Sequence, residues 1–246
     1  MASIASYLKG IRMLKYFISP TKTMQAQPSE HTQEPYFKEA SRPLLKTLCA
    51  MSEATLQRHF KLSNSLATTL HQNLHPFTEV TPAWFAYQGQ QFKALHPHTI
   101  DAKHHPFVAQ HVRILSGLYG LLSPFDRIGL YRLPLDQGLP KKDLVSYWQP
   151  KLKRLLNEDT LINLSSKEYR PLIATCDVVY DIDFVVIKDG VERRPSTTLK
   201  TTRGRFMRFV IEEEITTIDR LKLFQENGFV FDGLQHRTLK FVKKET

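Results

Sequence analysis

The stretch RILSGLYGLLSPFDRIGLYRL, residues 113–133, restricts the fold of this chain more than any other. Gly117 and Gly120 interrupt an apolar run, Ser123-Pro124 halts it, and Arg113, Arg127 and Arg132 surround it. Such a run has to be buried, and glycine lets a chain reverse because it takes positive φ cheaply. With the preceding FVAQHV, the pattern predicts a helix over 107–118 that ends at the glycines. A second helix then starts after Ser123-Pro124, which makes a helix–hairpin–helix element. Backbone N–H groups in such a hairpin are used by neither helix and lie open to a phosphate, and the arginines add charge-assisted bonds. On the string alone, close packing between helices is the simpler use of the two glycines.

The remaining segments alternate without the βαβ rhythm of a Rossmann sheet. LKYFI (14–18), TLINL (160–164), DVVYDIDFVVI (177–187) and TLKFVKK (238–244) read as strands. Asp189-Gly190 is a hairpin turn signal. Ser41 caps a helix to Met51 with Pro43 in its first turn, and Ser52–Phe60 and Ser63–Leu74 form two more. Asp143 caps a helix that puts Trp148, Leu152, Leu155 and Leu156 on one side, with a bend expected at Pro150. RGRFMRFVIEEEI has helical spacing, with Phe206, Phe209, Val210 and Ile211 inward. TIDRLKLFQENG is a last helix with a glycine C-cap. Residues 25–37 form a long surface loop. No composition break divides the chain, so we expect one compact α/β domain over 13–246, a mixed sheet surrounded by helices. Residues 1–12 read as a leader or an upstream-start extension.

Lys and Arg outnumber Asp and Glu by 34 to 24 in 246 residues, giving a net charge of +10. That balance favours a polyanionic partner, nucleic acid first. The charge is clustered: residues 103–154 carry nine Lys/Arg against three Asp, and 198–208 carry Lys200, Arg203, Arg205 and Arg208 with no acid. Two isolated cysteines, Cys49 and Cys176, make neither a disulfide framework nor a metal motif, and they fit a reducing cytosol. No apolar run reaches the length of about 18 residues that a membrane span needs. His96, His98, His104, His105 and His111 crowd one stretch, but prolines interrupt it and its spacing matches no metal site, so it reads as a solvated loop.

Two further motifs place hydroxyls after strands, at the edge where open α/β sheets hold ligands. FISPTKT (17–23) brings Ser19, Thr21 and Lys22, and NLSSKEYRP (163–171) brings Ser165 and Glu168. Neither is a P-loop. Lys22 or Lys200 as an amine nucleophile, with Ser19, Thr21, Ser165 and Glu168 lining a pocket, would make an enzyme acting on nucleic acid or a nucleotide, of glycosidase or lyase type.

FISPTKTM, RILSGLYGLLSPFD, YRL, LINLSSKEY and KTTRGRFMRFVIE stand in the order of the YaaA peroxide-stress family, which the chain resembles from Met13 to about residue 243. The resemblance implies a compact α/β fold with a helix–hairpin–helix element and cytosolic DNA binding through a basic cleft. It also implies protection against hydrogen peroxide linked to lower free iron, with no established catalytic activity. The sequence departs from the family where F-x-G-D-x-Y becomes Tyr87-Gln88-Gly89-Gln90-Gln91-Phe92 and Y-R-L-E-M-G becomes Tyr131-Arg132-Leu133-Pro134-Leu135-Asp136. In K-K-A-R-G, which becomes Lys200-Thr201-Thr202-Arg203-Gly204, the Lys, Arg and Gly are kept. If those acids serve chemistry in the family, their loss here points to binding without catalysis. The expectation is therefore a monomeric DNA-binding protein without cofactor, metal or membrane contact. Its phosphate contacts are expected from Arg113, Gly117, Gly120, Arg127, Arg132, Lys200, Arg203, Arg205 and Arg208. A third class, peroxide or iron handling without nucleic acid, is opposed by the lack of a peroxidatic dithiol pair.

Overall fold

Strand β1 (Leu14–Ile18) is buried along its whole length, as a strand covered on both faces must be. It lies at the centre of an eight-stranded sheet. The computed structural model describes residues 12–29 and 32–245, so residues 1–11 of the expected leader lie outside the described residues. Chain order continues with β2 (Thr81–Pro82), β3 (Val112–Ser116), β4 (Gly120–Leu122), β5 (Arg127–Ile128) and β6 (Thr160–Asn163). Then come β7 (Val179–Lys188), β8 (Val191–Arg193), β9 (Val230–Gln235) and β10 (Thr238–Glu245). The sheet runs β4-β3-β1-β6-β7-β10-β9, with β8 paired to β7 and with β2 and β5 forming a separate ribbon. The five central strands β3, β1, β6, β7 and β10 are mutually parallel, and β4, β8 and β9 are antiparallel additions. Tyr16 of β1 sits between Val112 of β3 and Ile162 of β6.

The helices are α1 (Lys38–Cys49), α2 (Glu53–Phe60), α3 (Asn64–Asn73), α4 (Ala83–Ala86) and α5 (Gln90–Leu95), followed by α6 (His105–His111), α7 (Leu144–Leu156), α8 (Ser196–Glu212) and α9 (Ile218–Leu221). Asp143 caps α7 as expected, and Ser52 and Ser63, expected only as the first residues of their helices, cap α2 and α3; each accepts a bond from a first-turn N–H. On α7, Leu144, Trp148, Leu152 and Leu156 are buried at four-residue intervals, and Leu155 packs at their edge. On α8, Phe206 meets Phe184, Phe224 and Phe241 edge-to-face. One hydrophobic cluster joins the sheet to the helices. Among the described residues no helix is long and apolar enough to cross a membrane.

The segment 107–118 departs from expectation. The helix stops at His111, and Val112–Ser116 extends as β3 beside β1, turns at 117–119 and returns as β4. The glycines therefore close a β-hairpin, not a junction between helices. A short apolar run carries no period that separates strand from buried helix, and here the free edge of β1 decides. Helices joined by a short turn are found instead at α2 and α3, across Lys61–Ser63. Other corrections are local. Helix α1 starts at Lys38, and the Ser41 hydroxyl bonds back to Phe37 O inside it. Helix α9 is a single turn. Gly228 (φ +80) with Asn227 (φ 53) forms a turn into β9, which the sequence reading missed. The histidine stretch is not a loop: two short 3-10 turns lead into α6, and His111 is buried against Leu14 O at 2.7 Å.

Candidate functional site: a cationic cleft

From β1 the next strand of the main sheet, β3, lies on one side, whereas β6 is followed by β7 on the other. Connections that part in opposite directions leave a crevice at the carboxyl ends of the two strands. A cleft of about 540 Å³ occupies that place. Ser19, directly after β1, is buried in its floor, and its Oγ accepts from Ser166 N at 2.7 Å across the crevice. Asn163, the last residue of β6, shapes the other lip. Its Oδ1 accepts from Ser165 N (3.0 Å) and Ser165 Oγ (2.6 Å), and its Nδ2 donates to Asp181, which Arg170 also clamps with two bonds. Ser165 is thereby turned into its own loop, and Ser166 lines the cleft in its place.

Three more segments complete the wall. Thr21 Oγ1 accepts from Gln88 N at 3.1 Å, and a Cβ on Gly89 would stand 2.4 Å from Thr21 Cγ2, so only glycine lets these loops meet. Tyr131 is anchored through its hydroxyl to Ser116 Oγ (2.6 Å) and Tyr87 OH (2.8 Å), and this holds Arg132 at the cleft. On α8, Lys200 and Arg203 are three residues apart on one face. Gly204 lets α8 approach α5, since a Cβ there would fall 2.2 Å from Gln91 O. Gln90 Nε2 adds a 3.0 Å bond to Thr201 Oγ1.

The cleft thus collects five cations, Lys22, Arg132, Lys167, Lys200 and Arg203, against one carboxylate, Glu168. Glu168 Oε1 is already bonded to Leu135 N at 2.9 Å. Among the described residues none of the five cations makes a hydrogen bond or ion pair. Burial holds the guanidinium groups of Arg132 and Arg203 below their ordinary values, partly offset by Asp136 and Asp183 respectively. Three buried nitrogen donors of the wall, Arg132 Nε, Arg203 Nε and Gln91 Nε2, have no acceptor.

The other expected phosphate ligands lie elsewhere and are occupied. Arg113 donates to Ala109 O (2.8 Å) and Val112 O (2.6 Å), and with Lys15 it caps the carboxyl end of α6. Arg127 pairs with Glu34, Arg205 with Glu226 at 3.3 Å, and Arg208 with Glu212 and Thr99. Gly117 and Gly120 are enclosed. A Cβ on Gly117 would lie 2.1 Å from Leu133 O, and one on Gly120 (φ +69) 2.5 Å from the Trp148 ring. Trp148 Nε1 donates to Gly117 O at 2.9 Å, and both glycines are buried, so their lack of a side chain serves close packing here. Sequence reasoning missed Ser166, Lys167 and Gln91, although all three stand inside motifs it singled out. The departures Gln90 and Pro134 both line the cleft, where neither offers a carboxylate. Burial pushes both thiols up, Cys176 to about 11, which is the reverse of a reactive thiolate. Among the described residues no three His, Cys, Asp or Glu side chains are grouped to hold a metal.

A parallel-centred α/β sheet with an unpaired cationic cleft at its switch point defines a single-domain α/β protein with its site on the strand ends. Residues 14–234 match the family described as peroxide stress protein YaaA, and the chain belongs to that family. It is similar to a UPF0246 protein of Lactobacillus johnsonii, 31% identical over 246 residues that cover 94% of this chain and 98% of the relative. A UPF0246 protein of Lachnoclostridium phytofermentans is 31% identical over 252 residues, covering 95% and 98%. One of Desulforapulum autotrophicum is 29% identical over 243 residues, covering 89% and 95%. The family description ties these proteins to peroxide stress.

Proposed function

We propose that this chain is a cytosolic DNA-binding protein of peroxide stress, and that it receives the phosphate groups of DNA in the cleft with little reading of bases. The observation that carries the proposal is the set of five unpaired cations brought from four separate segments to one crevice. A protein surface normally pairs or disperses its charges, as Arg127, Arg205 and Arg208 do here. A cluster left unpaired in a concave site is complementary to a polyanion. Protection of DNA, with lowered free iron as its companion, is the physiological role this reading supports.

Salt dependence tests it. Binding to unrelated duplexes is expected to weaken steeply as salt rises, with similar slopes for each sequence, because phosphate contacts release counterions. Salt-independent binding, or strong preference for one sequence, overturns the proposal.

A second reading has its own observation: Lys22, Lys200 and Glu168 line this same cleft. In that reading the uncharged amine of one lysine attacks C1′ of a sugar, and the base leaves with the electron pair of its glycosidic bond and takes up a proton (at an abasic aldehyde, water leaves instead). The resulting imine makes the protein a glycosidase- or lyase-type enzyme on nucleic acid or a nucleotide.

A further inference from the structure

We infer that the cleft is built for a phosphomonoester, the doubly charged phosphate at a strand end or on a free nucleotide, in preference to the internal diesters of a backbone. The inference rests on the reading that the cleft takes phosphate, and narrows it.

Donor count is the first argument. Arg132 Nε, Arg203 Nε and Gln91 Nε2 are buried without acceptors, and among the described residues Trp84 Nε1 is the one other buried side-chain nitrogen in that state. Unpaired buried donors are costly, and here they are concentrated in one wall. A monoester presents three non-bridging oxygens and a diester two. Because no protein acceptor holds these nitrogens, either arginine can turn its guanidinium toward a ligand without breaking a hydrogen bond at Nε. Arg208 on the same helix has no such freedom, being bonded to Leu95 O, Thr99 Oγ1 and Glu212.

Charge and shape agree. Five cations face a single carboxylate that already accepts a bond from Leu135 N. A monoester brings about −1.5 to −2 charges near pH 7, against one for a diester. The volume, about 540 Å³, is that of a pocket for one small ligand. Buried Ser19, Gln91 and Tyr131 are among its lining residues, and a pocket of this size suits one inserted end better than a strand passing through.

The test compares one single-stranded oligonucleotide with a 5′-phosphate and with a 5′-hydroxyl, labelled at the 3′ end, by fluorescence anisotropy. The phosphorylated end is expected to bind about tenfold tighter or more, the value of one or two charge-assisted bonds. Arg203→Gln and Arg132→Gln are expected to remove most of that ratio, because each weakens the phosphorylated form by a larger factor than the hydroxyl form. Lys200→Gln, at an exposed position, gives the same direction if either arginine variant melts early. Equal affinity for the two ends overturns the inference and leaves the DNA-binding proposal standing. If neither oligonucleotide binds, the melting temperature with adenosine monophosphate against adenosine decides. A rise with the monophosphate alone keeps the monoester site, with a free nucleotide as its source, and removes the nucleic-acid reading; no rise removes both.

Discussion

Gly120→Ala separates packing from phosphate contact. Gly120 has φ +69, where an alanine costs about 1 kcal/mol in backbone strain. The new Cβ would lie 2.5 Å from Trp148 Cε3 and 2.7 Å from Cδ2, well inside contact distance. Trp148 has no room to retreat, since it is fully buried, bonded through Nε1 to Gly117 O and packed against Phe37 and Tyr147. Overpacking of this kind costs roughly 1–3 kcal/mol, so the expected total is roughly 2–4 kcal/mol. For a domain of this size that lowers the melting temperature by about 5–15 °C. The assay pairs thermal unfolding with DNA binding measured well below the melting point, where affinity is expected to stay within about twofold because the glycine touches no ligand. A variant that melts like the parent but no longer binds DNA would show that the hairpin holds phosphate, and the assignment to packing would fail.

Two other outcomes follow from the same contacts. Burial pushes Asp126 up to about 6, although Gln33 Nε2 and Ser123 N both donate to it and Arg113 lies near. Its folded value is above the unfolded one, so the stability it contributes is complete below about pH 4 and is lost as pH rises to about 6, roughly 3 kcal/mol in all. Asp126→Asn is expected to flatten stability across that window and to raise it at pH 7.5. A steeper pH profile in chemical unfolding would contradict this. For the lyase reading, borohydride added to protein and DNA bearing abasic sites is expected to trap no covalent adduct. An adduct that disappears in Lys22→Ala or Lys200→Ala would establish the enzyme instead.

Much of the scaffold was legible in the chain. β1, β6 and β7 announce themselves as short apolar or alternating runs, and Ser52, Ser63 and Asp143 mark helix starts by their chemistry. β3 was not legible, because VRILS continues the apolar face of α6 and only the place beside β1 makes it a strand. β9 escaped because VFDGLQ carries Asp232 and Gly233, both poor in strands, and its partner β10 supplies the order. At the site, the hydroxyls and lysine after β1 follow from the strand-end rule. Which arginines stay free does not. Arg203 and Arg205 look alike in RGRFMRF, and only the folded chain brings Glu226 to Arg205 while leaving Arg203 facing the cleft. The Arg208–Glu212 pair, four residues apart on one helix, was the exception that spacing alone reveals.

The central claim is that the unpaired cations of the cleft, and not basic charge in general, hold DNA. Arg203 and Arg208 provide the comparison, since both are half-buried on α8 and each loses one positive charge as glutamine. The measurement is the affinity of Arg203→Gln and Arg208→Gln for one 5′-phosphorylated duplex across a salt series. Arg203→Gln is expected to weaken binding about tenfold and to reduce the salt slope by about one, while Arg208→Gln binds like the parent. Equal losses in the two variants, or a larger loss in Arg208→Gln, would contradict the account.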